Sequence, residues 1–285
     1  MKILILGSNG YLGHDLAEFL SKNPSFDVVS WSRVNCDLTF GKEMECKLIS
    51  ESPDIIVNCV AYNNIEKCEN NFYEQERAIN KNVLLVDRLV MYCVKKHCKL
   101  IHFSANMVFA GNEEYYSETS EKGPINFFGF TKAVGEEIID KGWKEGLQAC
   151  VIRTANIFDK RKTELEKMCF FEAIEAQVNN KGYVDVIDDE ITNFTYKREL
   201  ITMIQRIIVE NRFDGVYHLV NKNAVSFYEA AKLYFETLGK TVDIRPVSAK
   251  LFNRVAKRPN RTNLLTNTEL VMSDLREAMQ EYCKA

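Results

Sequence analysis

A glycine-rich turn directly after the first apolar segment constrains this chain more than any other feature. Residues 2–6 form a short apolar run typical of a buried strand, and Gly7-Ser8-Asn9-Gly10-Tyr11-Leu12-Gly13 follow it without interruption. Glycines three residues apart permit a tight turn, a close approach of the backbone to a pyrophosphate and close packing of the next helix. We therefore predict that Gly7, Asn9, Gly10, Tyr11, Leu12 and Gly13 bind a dinucleotide at a helix N-terminus, the alternative being a purely structural turn.

The rest of the first half alternates β-branched runs with helical patterns. Strands are predicted at residues 2–6, 27–31, 54–59, 99–103 and 148–153, and helices at 11–22, 43–50, 73–96 and 130–141. Beyond residue 155 helices are predicted at 162–177, 196–210, 226–238 and 266–282, and strands at 184–187, 216–219 and 242–246. This pattern indicates an α/β fold with a Rossmann-type doubly wound parallel sheet. We expect residues 1–155, with some later segments, to form the NAD(P)-binding domain and residues 156–285 a smaller C-terminal α/β substrate-binding region.

Composition excludes several other classes of function. The 37 basic and 40 acidic side chains give a formal charge of -3, and no basic stripe favours a nucleic acid partner. We also expect no membrane association, because no uncharged apolar run reaches about 18 residues. The nine cysteines are odd in number and lack Cys-x-x-Cys spacing, and the four histidines lack metal-ligand spacing. Free thiols, no metal site and a cytoplasmic location are the resulting expectations.

The choice of nicotinamide cofactor depends on the residues after the second predicted strand. A carboxylate there binds the ribose 2′-hydroxyl of NAD, whereas a cation accommodates the 2′-phosphate of NADP. The segment ends in Ser32 and Arg33 and contains no acid, which favours NADP. NAD stays an alternative, since Arg33 could equally be a solvated loop charge. Asp37 and Leu38 are expected to meet the adenine.

Several later segments follow the glycine turn in a familiar order. They are Asn58-Cys59-Val60-Ala61-Tyr62, Glu66-Lys67-Cys68-Glu69, Asn80, Ser104-Ala105-Asn106-Met107-Val108-Phe109, Gly129-Phe130-Thr131-Lys132, Arg153-Thr154, Gly215-Val216-Tyr217-His218 and Lys257-Arg258-Pro259-Asn260. Together they resemble the extended short-chain dehydrogenase/reductases of the dTDP-4-dehydrorhamnose reductase type, over essentially the whole chain. The resemblance implies that NADPH binds the N-terminal domain and a nucleotide-linked 4-keto-6-deoxy sugar binds the C-terminal region, with a homodimer as one option.

The resemblance also assigns residues to the two ligands. It implies cofactor contacts from Cys59, Val60, Ala61, Asn80, Phe103 and Lys132, and a further role for Asn80 in bracing the active site. Substrate contacts are implied for Tyr62, Asn106, Met107 and Asn156. Arg258 is a candidate for a sugar-nucleotide diphosphate because the guanidinium fork matches phosphate oxygens, although an exposed Arg is nearly as common.

The positions that carry the chemistry depart from the family pattern. Reduction of a ketone needs a proton on the developing alkoxide, which a Tyr supplies when a Lys four residues later lowers its pKa. Lys132 is present, but Phe128 stands at the Tyr position and Ala105 at the position of the neighbouring Ser or Thr. Phe fills the volume of Tyr but has no proton to give. Tyr62, Ser104 and Asn106 are the nearest replacement donors by family position.

Three functions stay open on these grounds. The first is an NAD(P)-dependent reductase of a nucleotide sugar with an altered proton donor. The second is a catalytically inactive regulatory protein that binds the dinucleotide or the nucleotide sugar. The third is an epimerase or dehydratase, which meets the same objection because transient oxidation also requires a base.

Overall fold

A twisted sheet of six parallel strands forms the centre of the protein. The computed structural model describes residues 1–36, 41–162 and 168–285. The sheet strands are β1 (Lys2–Leu6), β2 (Asp27–Trp31), β3 (Ile55–Asn58), β4 (Lys99–Ala105), β5 (Ala149–Thr154) and, after four short strands described below, β10 (Asp214–His218). Their spatial order is β2-β1-β3-β4-β5-β10, with every neighbouring pair parallel. The fold is therefore the predicted Rossmann-like α/β architecture, and the strand order reverses between β1 and β3.

Helices cover both faces of this sheet. They are α1 (Gly13–Leu20), α2 (Gly41–Glu51), α3 (Ile65–Asn70), α4 (Phe72–Ile79), α5 (Leu85–Lys96), α6 (Phe127–Lys144), α7 (Phe170–Lys181) and α8 (Lys197–Val209). One apolar core joins α1 and α8 to the first face, and a second joins α2, α5 and α6 to the other. The central strands β1, β3, β4 and β5 are largely buried on both sides, as their apolar sequences require.

The C-terminal residues add a smaller layer with its own core. Its strands are β6 (Ile157–Phe158), β7 (Tyr183–Ile187), β8 (Ile191–Thr192), β9 (Thr195–Tyr196), β11 (Val225–Ser226), β12 (Asp243–Val247) and β13 (Arg261–Thr262), and its last helices are α9 (Phe227–Thr237) and α10 (Leu275–Lys284). An aromatic cluster that includes Phe158, Phe171, Phe194 and Tyr282 fills the space between them. This layer lies at the carboxyl ends of β4 and β5, where Asn106 at the start of a 3₁₀ turn (Asn106–Val108) contacts Thr192 of β8.

Three predicted helices differ from the structure for local reasons. The helix predicted at 73–96 is interrupted by a π-helical turn, Asn80–Leu84, between α4 and α5. The helix predicted at 266–282 begins only at Leu275, because the Asp274 side chain accepts the backbone N–H of Glu277 and caps α10 there. The helix predicted at 11–22 begins at Gly13. Part of the predicted helix 162–177 lies outside the described residues, and α3 was not predicted.

Two further expectations concern the thiols and the membrane. All nine cysteines are free thiols, and six of them are buried. Within residues 1–36, 41–162 and 168–285, none of the helices combines the length and the apolar character that crossing a bilayer requires.

Candidate active site

A cleft opens at the carboxyl ends of β1, β2 and β3, where the strand order reverses. It has a volume of about 520 Å³. Its lining comprises Gly7, Asn9, Gly10, Ser32, Arg33, Cys36, Cys59, Val60, Ala61, Arg77, Asn80, Lys81 and Leu85. Open α/β sheets bind their ligands at this kind of reversal point. The structure thus brings together nine of the residues that the sequence predicted for the cofactor, from four separate segments.

The glycine turn has the geometry of a phosphate cradle. Gly7 adopts φ +82°, and a Cβ there would lie 3.0 Å from Val60 Cγ2. A Cβ on Gly13 would lie only 2.4 Å from the Gly7 carbonyl oxygen, so a side chain at position 13 would force the turn apart. The Gly10 amide donates to the Gly7 carbonyl at 2.9 Å and closes the turn. Glycine is therefore required at positions 7 and 13 for α1 to begin against the end of β1.

Two predicted residues of this turn hold it in place instead of lining the cleft. The Tyr11 hydroxyl donates to the Asp159 carbonyl at 2.7 Å, and the Lys197 ammonium lies 3.8 Å from the centre of the Tyr11 ring. Leu12 packs against the apolar core between α1 and the sheet. The two Tyr11 contacts attach the turn to Asp159 and Lys197 in the later part of the chain. They stiffen the backbone that a pyrophosphate would meet.

The loop after β2 provides the predicted cation. Asn35 accepts hydrogen bonds from both the backbone amide (2.9 Å) and the hydroxyl (2.8 Å) of Ser32, and this fixes the start of the loop. Arg33 follows on the exposed rim of the cleft. Asp37 and Leu38 lie outside the described residues, so their predicted contact with adenine stays a prediction.

Two basic residues of the cleft were missed at the level of sequence. Arg77 and Lys81 project from the end of α4 and the π turn, and both also line an adjoining cavity of about 240 Å³. Their spacing of four residues places them on one face of the helix, which is the signal that identifies them. Together with Arg33 they give the cleft three basic side chains, of which Arg77 is paired with the Glu74 carboxylate at 3.1 Å.

Phe128 occupies the first turn of α6 beside the cleft. It is 7% exposed and packs in an apolar cluster with Tyr62, Cys68 and Ala78, against which Ala105 and Met107 also lie. The two positions at which the resemblance implies hydroxyls therefore belong to the same apolar cluster. Asn126 caps this helix by accepting the Gly129 amide at 2.8 Å, so Phe128 has little freedom to move.

Asn82, which was missed at the level of sequence, braces this site, and the bracing role of Asn80 stays a prediction. The Asn82 amide nitrogen donates to the Tyr62 carbonyl (3.0 Å) and to Thr131 Oγ1 (2.9 Å), and its oxygen accepts the Tyr62 amide (2.8 Å). The π turn inserts an extra residue, which directs Asn82 inward and leaves Asn80 on the wall of the cleft.

Tyr62 carries a hydroxyl close to the apolar cluster, but that hydroxyl is already engaged. It donates to Glu74 Oε2 at 2.8 Å. Burial and the Glu74 carboxylate raise the pKa of Tyr62 to about 12. A phenol with a raised pKa and an acceptor of its own is a poor proton donor, which weighs against Tyr62 as a replacement for the missing Tyr.

Lys132 lies four residues after Phe128 and is turned into the protein. It is 2% exposed, and its Nζ donates to the Phe103 carbonyl and lies 3.4 Å from His102 Nε2. Burial lowers the pKa of Lys132 to about 8. Ser104 is also buried, and its hydroxyl has no hydrogen-bond partner among the described residues. Phe103 and Ser104 directly precede Ala105 on β4, and the Phe103 carbonyl contacts Lys132 of α6.

Two of the residues predicted for the substrate are engaged by threonines of the C-terminal layer. Asn106 Nδ2 donates to Thr262 Oγ1 (2.7 Å) and Thr192 Oγ1 (3.2 Å), and Asn156 Nδ2 donates to the same Thr192 oxygen at 3.1 Å. Met107 is half-buried against Phe128. These bonds join the end of β4 to the C-terminal layer, and a substrate contact by any of the three residues stays a prediction.

Arg258 forms a bridge across the chain. Its guanidinium donates to Glu66 Oε1 at 2.6 Å, and Glu66 Oε2 accepts the Val255 amide at 2.7 Å. Burial opposes ionisation of Glu66, but these amides and Arg258 hold the pKa of its carboxyl below the ordinary value. The C-terminal segment is therefore attached to α3, and the predicted contact of Arg258 with a diphosphate would require the pair to open.

Comparison with known proteins identifies the family. The family described as the RmlD substrate binding domain matches residues 1–284. The chain belongs to this family. A dTDP-4-dehydrorhamnose reductase from Mycolicibacterium smegmatis is 27% identical over 292 residues, which cover 100% of this chain and 85% of the relative.

Solved structures agree with this membership. A dTDP-4-dehydrorhamnose reductase from Bacillus anthracis in complex with NADP superposes with a TM-score of 0.87 at 26% identity, covering 99% of this chain and 98% of that one. A dTDP-4-dehydrorhamnose reductase orthologue from Clostridium acetobutylicum gives a TM-score of 0.90 at 24% identity, covering 100% and 99% of the two chains, and shows the likeness of fold. The RmlD-type fold is thus present over the full length of the described residues.

Proposed function

We propose that this protein is an NADPH-dependent reductase of a nucleotide-linked 4-keto-6-deoxy sugar in which residue 128 does not supply the proton. The observation that carries the proposal is the cleft at the ends of β1 and β3, where the glycine turn and three basic side chains meet. The glycines at positions 7 and 13, where a side chain would collide with the turn, allow α1 to begin against the end of β1 and so leave its N-terminal amides at this cleft.

The residues of the cleft fit NADP chemically. The backbone amides at the start of α1 are suited to the pyrophosphate, and Arg33 to the ribose 2′-phosphate. When bound, NADPH supplies the hydride that reduces the keto carbon. Burial raises the pKa of Cys59 to about 12, so this thiol on the cleft wall stays uncharged and does not repel the phosphates.

A turnover measurement with matched variants tests the proposal. Purified wild-type protein is mixed with NADPH and several nucleotide 4-keto sugars, and both cofactor oxidation and the reduced sugar are followed. We expect slow turnover that Lys132→Met lowers further, because Met fills the same volume without an amine. Absence of both NADPH binding and turnover would overturn the proposal.

A second candidate is a binding protein without turnover, favoured by the pairing of Phe128 with Ala105. Both residues lack hydroxyls, and both lie in the same buried apolar cluster. Calorimetric titration of the nucleotide sugar in the presence of NADP separates the two candidates. Tight binding of both ligands without any product favours the binding protein, whereas product formation favours the reductase.

A further inference from the structure

A buried chain of hydrogen bonds runs from the wall of the cleft to Lys132. Asn58 at the end of β3 is 1% exposed, and its Oδ1 accepts the Val60 backbone amide at 3.1 Å. Its Nδ2 faces His102 Nδ1 at 3.1 Å. On the far side of the imidazole, His102 Nε2 faces Lys132 Nζ at 3.4 Å.

The direction of every bond in this chain follows from its first donor. A backbone N–H can only donate, so the oxygen of Asn58 must face Val60 and its NH₂ group must face His102. His102 Nδ1 then has to accept, which places the proton of the neutral imidazole on Nε2. The N–H of His102 therefore points at Lys132.

A lysine can satisfy that N–H only as an uncharged amine. Lys132 in this form accepts from His102 through its lone pair and donates to the Phe103 carbonyl. The ammonium form would set two donors against each other in a buried site, which costs free energy. Reversing the tautomer of His102 would only move the same conflict to Asn58.

The other charged groups near Lys132 do not remove this conflict. From its own helix, Glu136 lies one turn away and favours the ammonium, but the Arg153 guanidinium of β5 pairs with both Glu136 oxygens at 3.0 and 2.7 Å. From β4 the facing titratable group is His102, and burial followed by the charge of Lys132 lowers the pKa of that imidazole far below its ordinary value. His102 therefore stays neutral while Lys132 changes its charge.

We propose that His102, oriented by Asn58, is a positioning residue that donates a hydrogen bond to the uncharged Lys132 amine and thereby makes Lys132 a proton-exchanging group next to Phe103. The assignment of protonation states rests on the hydrogen-bond chain alone. Its use in turnover rests on the proposed reductase function, in which residue 128 cannot exchange a proton.

Nuclear magnetic resonance tests the protonation states without any activity. In protein labelled with ¹⁵N at histidine and lysine, we expect His102 in the Nε2–H tautomer and a Lys132 Nζ resonance, absent from Lys132→Met, that titrates about two pH units below an ordinary lysine. An Nδ1–H tautomer, or a Lys132 that titrates near pH 10.4, would overturn the proposal. These wild-type spectra decide the question even if a variant fails to fold.

Two variants test the direction of the chain. Asn58→Asp retains the acceptor for Val60 but presents an acceptor to His102, so we expect the proton to move to Nδ1 and the Lys132 titration to rise by at least about one pH unit. His102→Gln keeps an N–H near the Nε2 position. We therefore expect the midpoint of the Lys132 titration to stay within about half a pH unit of the wild-type value. An unchanged His102 tautomer in Asn58→Asp would contradict the hydrogen-bond directions assigned to Asn58, His102 and Lys132.

The pH dependence of turnover distinguishes this inference from the proposed function. If NADPH-dependent reduction occurs, its kcat should show an inflection that moves upward in Asn58→Asp with the Lys132 titration. An inflection that stays fixed while the resonance moves would overturn the role of Lys132 in turnover. If the spectra are as expected but no turnover occurs, the protonation states of His102 and Lys132 are supported and the proposed reductase function is contradicted.

Discussion

Restoring the two missing hydroxyls is the most informative perturbation of this site. In Phe128→Tyr with Ala105→Thr, the new phenol is placed one helical turn before Lys132 and beside the new threonine. A positioned general acid contributes about 10²–10⁴ in rate, equivalent to about 3–5 kcal/mol of transition-state stabilisation. If proton delivery limits turnover in the natural protein, kcat for the keto sugar should rise by a factor in this range.

The structure also predicts why both substitutions are needed. Phe128 is 7% exposed in an apolar cluster, so a hydroxyl added there alone is buried without a designated partner. An unpaired buried hydroxyl costs about 1–3 kcal/mol, and the threonine hydroxyl in the double variant offsets that cost. We therefore expect Phe128→Tyr alone to lower the free energy of unfolding and to gain less in rate than the pair.

The assay is steady-state NADPH oxidation with a dTDP-linked 4-keto-6-deoxy sugar, supported by urea unfolding of each variant. Phe130→Tyr is the matched control, because it adds a phenol on the same turn at a position that is 54% exposed. We expect this control to leave kcat unchanged. A double variant that folds and binds NADPH but is no faster than the wild type would refute the reasoning, since it would show that proton delivery does not limit turnover in the natural protein.

Three further predictions concern the cofactor turn and its anchor. Gly13→Ala should raise the Kd for NADPH at least about tenfold in a fluorescence titration, since its Cβ meets the Gly7 carbonyl. Arg33→Glu should weaken NADPH by about tenfold or more while changing NADH less, and equal losses for both cofactors would contradict its contact with the 2′-phosphate. Although burial opposes ionisation of Asp15, its Lys162 and Lys197 partners hold its pKa at about 2, below the ordinary 3.8. Asp15→Asn should therefore cost about 2 kcal/mol in urea unfolding at neutral pH, and this difference should disappear as the pH falls from about 4 towards 2.

Sequence reasoning located the fold and the cofactor cleft because both depend on local patterns. Each of these patterns spans only a few residues. They are the strand periodicity, the spacing of Gly7, Gly10 and Gly13, and the cation at Arg33. The contribution of β10 to the main sheet was less accessible, since its five residues pair with β5 across more than sixty residues of chain.

The residues that hold the site together could not be assigned from the sequence. Asn82 braces the Tyr62 backbone and Thr131 because a π turn changes the phase of the helix, and no propensity marks that turn. Asn106, Asn156 and Arg258 find partners more than 30 residues away, so their engagement depends on tertiary contacts. His102 gave no signal in the sequence for the same reason, because Asn58 and Lys132 lie 44 and 30 residues from it.

Transfer of deuterium tests the reductase account most directly, because it detects even very slow turnover. Wild-type protein is incubated with a nucleotide-linked 4-keto-6-deoxy sugar and NADPH that carries deuterium at the transferred position, and the sugar is analysed by mass spectrometry. The account predicts a reduced sugar with one deuterium, formed more slowly by Lys132→Met. A sugar that stays unreduced with the wild type but gains deuterium with the Phe128→Tyr and Ala105→Thr double variant would contradict it and identify the natural protein as a binding protein.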